Sequence, residues 1–322
     1  MFIPILLFCL GLVLLIYGGD RFVDGSVGIA RRFSLPEVLI GATVVSIGTT
    51  LPEVMVSATS ALSGHGAIAY GNAIGSIICN TALISALTIA IRPACHLDTS
   101  TLRLPVLFFF IAASFYAAVA YTTGFFSRAV GILLLAIFSI YMFCTVKSAR
   151  RFLETSAEKA ESSAEGSLIK DILFLVFGAA LIAVGADLLV DNGTLIAEAL
   201  GVPESVIALT FVALGTSLPE LVTGITSLIK GHGALSLGNI IGANFFNLVL
   251  VSGVSTVLSP FSVPVTKELL GHNASLILDI PVVFIVMLLL TLPALLKKKL
   301  SRVQGIALLA IYAAFCSVQF FF

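Results

Sequence analysis

Long apolar stretches recur along the whole chain and are separated by short polar connections. A helix that crosses a bilayer needs about 20 mostly apolar residues. The pattern predicts ten such helices, at residues 3–30, 36–62, 68–91, 104–121, 126–147, 168–198, 204–229, 235–258, 275–295 and 303–321. We expect the first stretch to be a spanning helix and not a removed signal peptide, because no Lys or Arg precedes it and it has no small-residue cleavage pattern.

One connection is longer and more polar than the others. Residues 148–167 are rich in Ser, Ala and Glu, and they separate five predicted helices from the five that follow. The sequence therefore predicts an all-α membrane protein with a first half at residues 1–147, a linker at 148–167 and a second half at 168–322.

The composition agrees with this class. Only 11% of the 322 residues are charged and 59% are hydrophobic, with a mean hydropathy of +1.14, whereas a soluble domain carries about 25% charged residues. The 17 basic and 17 acidic side chains cancel, which argues against binding to nucleic acid. The five cysteines are scattered and odd in number, so we expect free thiols and no disulfide framework.

The basic residues are spread unevenly over the connections, and cytoplasmic connections of membrane proteins are enriched in Lys and Arg. With the N-terminus outside, 14 basic residues fall on the cytoplasmic side and two, Arg128 and Lys267, fall outside. The cytoplasmic set is Arg31, Arg32, Arg92, Arg103, Lys147, Arg150, Arg151, Lys159, Lys170, Lys230, Lys297, Lys298, Lys299 and Arg302. We therefore expect both termini outside and the 148–167 linker in the cytoplasm.

Two segments of the chain resemble each other at a constant shift of 167 residues. Residues 41–85 and 208–252 are identical at 20 of 45 positions without a gap, which indicates an internal duplication. Because each half has an odd number of predicted helices, the two copies should cross the membrane in opposite directions. Inverted repeats of this kind are typical of transporters, whose substrate site lies near the bilayer midplane where the copies meet.

Two carboxylates occupy equivalent positions in the repeat, Glu53 and Glu220, each in the middle of an apolar span. A charge at the bilayer centre costs about 2.5–3.5 kcal/mol even on the translocon insertion scale. No Lys, Arg or His lies in the central parts of the spans to neutralise this pair. A cation from solution is the natural partner.

Each Glu follows a sequence of glycine, two hydroxyl residues, leucine and proline, GTTLP before Glu53 and GTSLP before Glu220. Proline removes a backbone donor and frees a carbonyl, so the second and seventh helices are predicted to be discontinuous here. Carboxylate, hydroxyl and carbonyl oxygens suit Ca²⁺ or Na⁺ and are poor ligands for zinc or copper. Side-chain oxygens on the third and eighth helices could complete the shell, from Ser76, Asn80 and Asn247.

The motifs GTTLPE…GNAIGSIICN and GTSLPE…GNIIGANFFN resemble the paired alpha-repeats of the calcium/cation antiporter superfamily. The sequence is most similar to the bacterial sodium/calcium exchangers, which are related to the potassium-dependent exchangers. The resemblance covers essentially the whole chain and rests on two long motifs in the right order.

The resemblance implies the residues of an ion site in which Ca²⁺ and Na⁺ use overlapping positions. Glu53 and Glu220 would be the shared carboxylate ligands. The other implied ligands are hydroxyl or carbonyl oxygens of Thr49, Thr50, Thr216 and Ser217, backbone carbonyls of Ser46 and Ala213, and side chains of Ser76, Asn80 and Asn247.

Two positions depart from the pattern of the family. Many relatives have Ser where this chain has Ala243, so one hydroxyl is missing and one Na⁺ site should be weaker. Many, notably the potassium-dependent members, have Asp where this chain has Asn247. The loss of that charge argues against K⁺ co-transport.

The resemblance implies a secondary active antiporter, not an enzyme, that exchanges Na⁺ for Ca²⁺ across the plasma membrane by alternating access and normally exports Ca²⁺. A proton/Ca²⁺ exchanger that uses the same carboxylates is the alternative. Ca²⁺ and Na⁺ would be cargo, with no resident cofactor and no nucleic acid or obligate protein partner. The expected location is the inner membrane of a bacterium, with many spans and both termini on the outer side.

Overall fold

The structure is a computed structural model that describes residues 2–33, 35–93, 99–157, 167–199, 215, 217–265, 268–269 and 271–321. Ten helices account for most of these residues. They are α1 (Phe2–Arg32), α2 (Glu37–Leu62), α3 (Gly66–Ile91), α4 (Thr99–Thr122), α5 (Arg128–Ala157), α6 (Leu168–Ala199), α7 (Leu218–Ile229), α8 (Gly233–Leu258), α9 (Ser275–Lys297) and α10 (Arg302–Phe321). The short strands are β1 (Phe125–Phe126), β2 (Phe261–Ser262), β3 (Glu268–Leu269) and β4 (His272–Asn273).

The predicted all-α membrane architecture is confirmed. Within the described residues, nine helices are long and apolar enough to cross a membrane. The remaining helix, α7, is described over 12 residues, and most of the earlier part of the span predicted at 204–229 lies outside the described residues. Helix α5 continues to Ala157 and thus enters the predicted 148–167 linker, while residues 158–166 lie outside the description.

The predicted break in the second helix is wrong, because α2 is continuous from Glu37 to Leu62 and contains Pro52. Proline removes one backbone hydrogen bond, and packing of α2 against α3 and α8 holds the helix together across it. The irregularity lies earlier, in a π-helical segment at Gly41–Val45. There the Tyr141 hydroxyl of α5 donates to the Ala42 carbonyl at 2.9 Å. The predicted break in the seventh helix falls largely outside the described residues.

The two sequence copies have the same local structure where both are described. The regular part of α3, Gly66–Cys79, matches Gly233–Phe246 of α8 at the 167-residue shift. Each is followed by a π-helical segment, Asn80–Ser85 in α3 and Asn247–Val251 in α8. Such segments are rare and recur at functional sites, so their repetition supports a common origin for the copies.

Burial divides the helices into a central and a peripheral group. In α8 and α3, 83% and 72% of the most apolar stretch is buried inside the protein, against 22% in α1, α5 and α6 and 11% in α10. The peripheral helices expose large apolar side chains, including Ile16, Phe143 and Phe177. Such faces suit lipid, whereas the buried helices must satisfy their polar groups inside the protein.

Helices α1 and α6 pack with their backbones in close contact along a line of glycines. A Cβ atom placed on Gly18 would lie 3.0 Å from the Gly178 carbonyl oxygen, and one on Gly178 would lie 2.5 Å from the Phe22 nitrogen. An ion pair of 3.4 Å between Arg32 and Asp171 joins the same two helices. Small residues allow this approach, so the two helices form one tightly packed pair.

Gly178→Ala is expected to lower the thermal unfolding temperature, because the added methyl group forces α1 away and overpacking costs about 1–3 kcal/mol. Gly71→Ala in α3 is the matched control, since a Cβ there meets nothing within 4 Å. That change should raise the unfolding temperature, because Ala is favoured over Gly in a helix by about 1 kcal/mol. Thermal unfolding in detergent would measure both changes. Equal shifts of the unfolding temperature in the two variants would contradict the close packing of α1 against α6.

The contacts between connections agree with their predicted division into two faces. On the side predicted to be outside, β1 after α4 pairs with β2 after α8. On the side predicted to be cytoplasmic, Arg92 after α3 donates to the Leu228 carbonyl at the end of α7.

Candidate cation site

Polar side chains are concentrated in the buried centre of the molecule, where α2, α3, α7 and α8 contact one another. Both predicted carboxylates lie there with no exposed surface, Glu53 on α2 and Glu220 in the first turn of α7. The structure therefore brings the two equivalent acids of the repeat into one buried region.

The segment of α2 that carries Glu53 contacts α7, which carries Glu220, and Thr49 is buried on α2 one turn before Glu53. Among the residues that the structure describes, none forms a hydrogen bond to the carboxylate oxygens of either Glu. Buried charges are paired or bind cations, because an unpaired buried charge is very costly. The pair is thus suited to a cation that both acids contact.

Four other predicted ligands are buried with side-chain polar atoms that bond to nothing in the described part of the chain. They are Thr50, Asn80, Ser217 and Asn247. Most buried polar atoms in proteins have a hydrogen-bond partner, so four unpartnered side chains at predicted ligand positions are unusual. The donor set of two carboxylates, two hydroxyls and two amides fits a hard cation such as Ca²⁺ or Na⁺.

Of the other predicted ligand positions, some are buried in the structure and others lie outside the described residues. Ser46 is buried, and its hydroxyl lies 2.7 Å from the Gly41 carbonyl oxygen. Ser76 and Ala243 are buried on α3 and α8. Thr216 and Ala213 lie outside the described residues, so their predicted roles stay predictions.

Two asparagines near the site were not predicted. The Asn239 amide oxygen of α8 accepts from the hydroxyls of Ser46 at 3.2 Å and Thr49 at 3.3 Å. In the first copy, Asn72 occupies the equivalent position and donates to the Glu53 carbonyl at 3.2 Å. Both follow a glycine in the repeated sequences GNAIG and GNIIG, and this repetition is the signal that could have revealed them.

The described part of the chain contains no group of three or more His, Cys, Asp and Glu side chains able to hold a metal ion. The acids Asp20 and Asp24 of α1 instead bind the Lys230 ammonium, at 2.6 and 2.7 Å. The buried oxygens around Glu53 and Glu220 are therefore the best cation site that the structure describes.

A family model described as sodium/calcium exchanger protein matches residues 3–147 and 170–321. The chain belongs to the sodium/calcium exchanger family. It is 31% identical to the sodium/calcium exchanger MaX1 of Methanosarcina acetivorans over 98% of both chains. It is 37% identical to the inner membrane protein YrbG of Escherichia coli strain K12 over 79% of both chains. The fold is similar to the sodium-calcium exchanger NCX_Mj, with a TM-score of 0.82 and 34% identity over 98% of both chains.

Membership in the sodium/calcium exchanger family confirms the predicted family and the predicted class of cation/calcium antiport. The chain is therefore a multi-pass membrane transporter and not an enzyme. It combines the family's overall fold with a buried pair of carboxylates at equivalent positions of an internal repeat.

Proposed function

We propose that this chain exchanges Na⁺ for Ca²⁺ at one shared site built around Glu53 and Glu220. The observation that carries the proposal is the pair of fully buried carboxylates with no protein partner for their oxygens in the described residues. Two negative charges neutralise one Ca²⁺ or two Na⁺. Competition for the same carboxylates would couple the two fluxes, because Ca²⁺ and Na⁺ could not occupy them together.

The oxygens around the carboxylates favour Na⁺ over H⁺ as the coupling ion. A proton needs only the carboxylate, whereas Na⁺ needs several neutral oxygen ligands. Thr50, Ser217, Asn80 and Asn247 supply such oxygens within the same buried core. Na⁺ entry down its gradient would then drive Ca²⁺ out of the cytoplasm, with the protein opening to each side in turn and with no resident cofactor.

Flux of ⁴⁵Ca²⁺ into proteoliposomes tests this proposal. Vesicles loaded with Na⁺ and diluted into Na⁺-free medium should take up ⁴⁵Ca²⁺, and vesicles with equal Na⁺ on both sides should not. Uptake driven by a pH gradient in Na⁺-free medium, without uptake driven by Na⁺, would contradict Na⁺ coupling and establish the proton/Ca²⁺ alternative.

We further propose that the chain lies in a bacterial inner membrane with both termini outside. In a variant without the native cysteines, single cysteines at Ser156 and Ser162 should react with a membrane-impermeant thiol reagent only from the cytoplasmic side. A cysteine at the exposed Thr123, between α4 and α5, should react only from outside. The reverse pattern in intact cells would overturn the orientation and, with it, the assumed direction of each access path.

A further inference from the structure

A cavity of about 530 Å³ opens between the ends of α2, α3, α7 and α8 on the side predicted to be cytoplasmic. Its lining includes the hydroxyl residues Ser85, Thr88 and Ser236, together with Glu37 and Arg92. A cavity of this size holds many water molecules. It can therefore admit a hydrated cation from one side of the membrane.

Gly224 lies one helical turn after Glu220 on the same face of α7, and it adjoins two residues that line the cavity. A Cβ atom placed on Gly224 would lie 3.5 Å from the Ser236 hydroxyl oxygen, 3.6 Å from an Ile84 methyl carbon and 3.9 Å from the Thr88 methyl carbon. Ser236 and Thr88 line the cavity. A residue without a side chain therefore lies between these two lining residues and the turn that carries Glu220.

Two hydroxyl groups on this buried face of α7 have no hydrogen-bond partner in the described residues. Thr223 and Ser227 are both completely buried, and they flank Gly224 on the helix. Together with Ser236 they place three hydroxyl groups near Gly224, whereas the Thr88 hydroxyl donates to the Ser85 carbonyl at 2.8 Å. Such oxygens can replace part of the water shell of a cation as it moves.

The first copy of the repeat is different at the equivalent place. Ser57 occupies the position of Gly224 at the 167-residue shift, one turn after Glu53. The buried Ser57 hydroxyl accepts a hydrogen bond of 2.8 Å from Asn72 on α3. Hence the corresponding contact between α2 and α3 is filled by a side chain that is bonded in place.

We propose that Gly224 is the aperture of the cytoplasmic access route, and that cations pass from the cavity over Gly224 to reach Glu220. The Ser57 side chain and its bond to Asn72 close the equivalent outer route in this conformation. This inference rests on the proposed exchange function and names the residue that controls access to its site.

The test is the reactivity of a cysteine placed beyond the aperture, at Thr223, in a variant without the native cysteines. A cationic, membrane-impermeant methanethiosulfonate reagent added from the cytoplasmic side should label this cysteine. Gly224→Val should slow the labelling by about tenfold or more, because its branched side chain fills the gap. Gly224→Ala adds only one methyl group, which makes ordinary van der Waals contacts, and should slow the labelling less than Gly224→Val. Gly71→Ala on α3 is the matched control, since a Cβ there meets nothing within 4 Å, and it should leave the labelling rate unchanged.

A second variant covers the case in which Gly224→Val does not fold, as judged by size-exclusion chromatography. Ser236→Phe fills the cavity from α8 and should slow the labelling at position 223 in the same way. Labelling only from the outer side, no labelling from either side, or rates unchanged by both substitutions would overturn the proposal. Labelling requires no transport, so its result does not depend on whether Na⁺ or H⁺ drives Ca²⁺ flux. If the labelling contradicts the access route, the proposed exchange function is still tested separately by the flux measurement.

Discussion

Glu53→Gln and Glu220→Gln are each expected to abolish Ca²⁺ transport. Each substitution keeps the size of the side chain and removes one negative charge from a site that has no exposed surface. A divalent ion would then be left with one uncompensated positive charge in surroundings where charges are weakly screened. We expect a loss of about 4 kcal/mol, or about a thousandfold in Ca²⁺ affinity.

Asn247→Asp is the control for these two variants. It changes a buried side chain of the proposed site without removing a carboxylate, and the family resemblance implies that Asp is tolerated at this position. Transport should persist, and Ca²⁺ affinity or sensitivity to K⁺ should rise because a third acid is added. The measurement is ⁴⁵Ca²⁺ flux at matched expression, with and without K⁺. Near-normal flux in either Gln variant would show that the two acids are not the shared ligands.

A disulfide between α1 and α7 should stop transport completely while leaving Ca²⁺ binding intact. If the protein opens to each side in turn, the tightly packed α1–α6 pair is the natural moving part, and α1 must slide over α7. A Cβ atom on Gly19 would lie 3.9 Å from the Thr226 Cβ, a separation that suits a disulfide. Cysteines at positions 19 and 226, with Val222→Ala to relieve the close contact of Val222 with position 19, should therefore cross-link.

Oxidation of the double-cysteine variant should remove ⁴⁵Ca²⁺ flux, and reduction should restore it. Each single-cysteine variant is the control and should transport under both conditions. Undiminished flux in protein that is fully cross-linked would show that α1 does not move over α7. Loss of Ca²⁺ binding on oxidation would show instead that the cross-link distorts the site.

The helices and the repeat could be predicted from the sequence because both rest on simple patterns. A bilayer requires long apolar stretches, and nine of the ten predicted spans appear as such helices within the described residues. The repeat identified Glu53 and Glu220 as equivalent, and the structure places both in the buried centre. Charge in an apolar span is costly, so these two acids were conspicuous in the sequence.

Other features depend on packing that the sequence pattern does not show. The break predicted at Pro52 was wrong because neighbouring helices hold α2 together around the lost hydrogen bond. The role of Asn239 depends on which hydroxyls of α2 lie opposite it. Likewise, the difference between Gly224 and Ser57 is one of many substitutions in the aligned copies, and only the contacts of Gly224 with two residues of the cavity lining distinguish it from the others.

The most direct test of the shared site is equilibrium binding of ⁴⁵Ca²⁺ to the purified protein as Na⁺ is increased. Choline replaces Na⁺ in a parallel titration, so the ionic strength is the same in both. We predict that Na⁺ displaces bound ⁴⁵Ca²⁺, that choline does not, and that both Glu53→Gln and Glu220→Gln remove the Na⁺-sensitive binding. Binding that Na⁺ leaves unchanged, or Na⁺-sensitive binding that survives in both variants, would contradict a site shared at these two carboxylates.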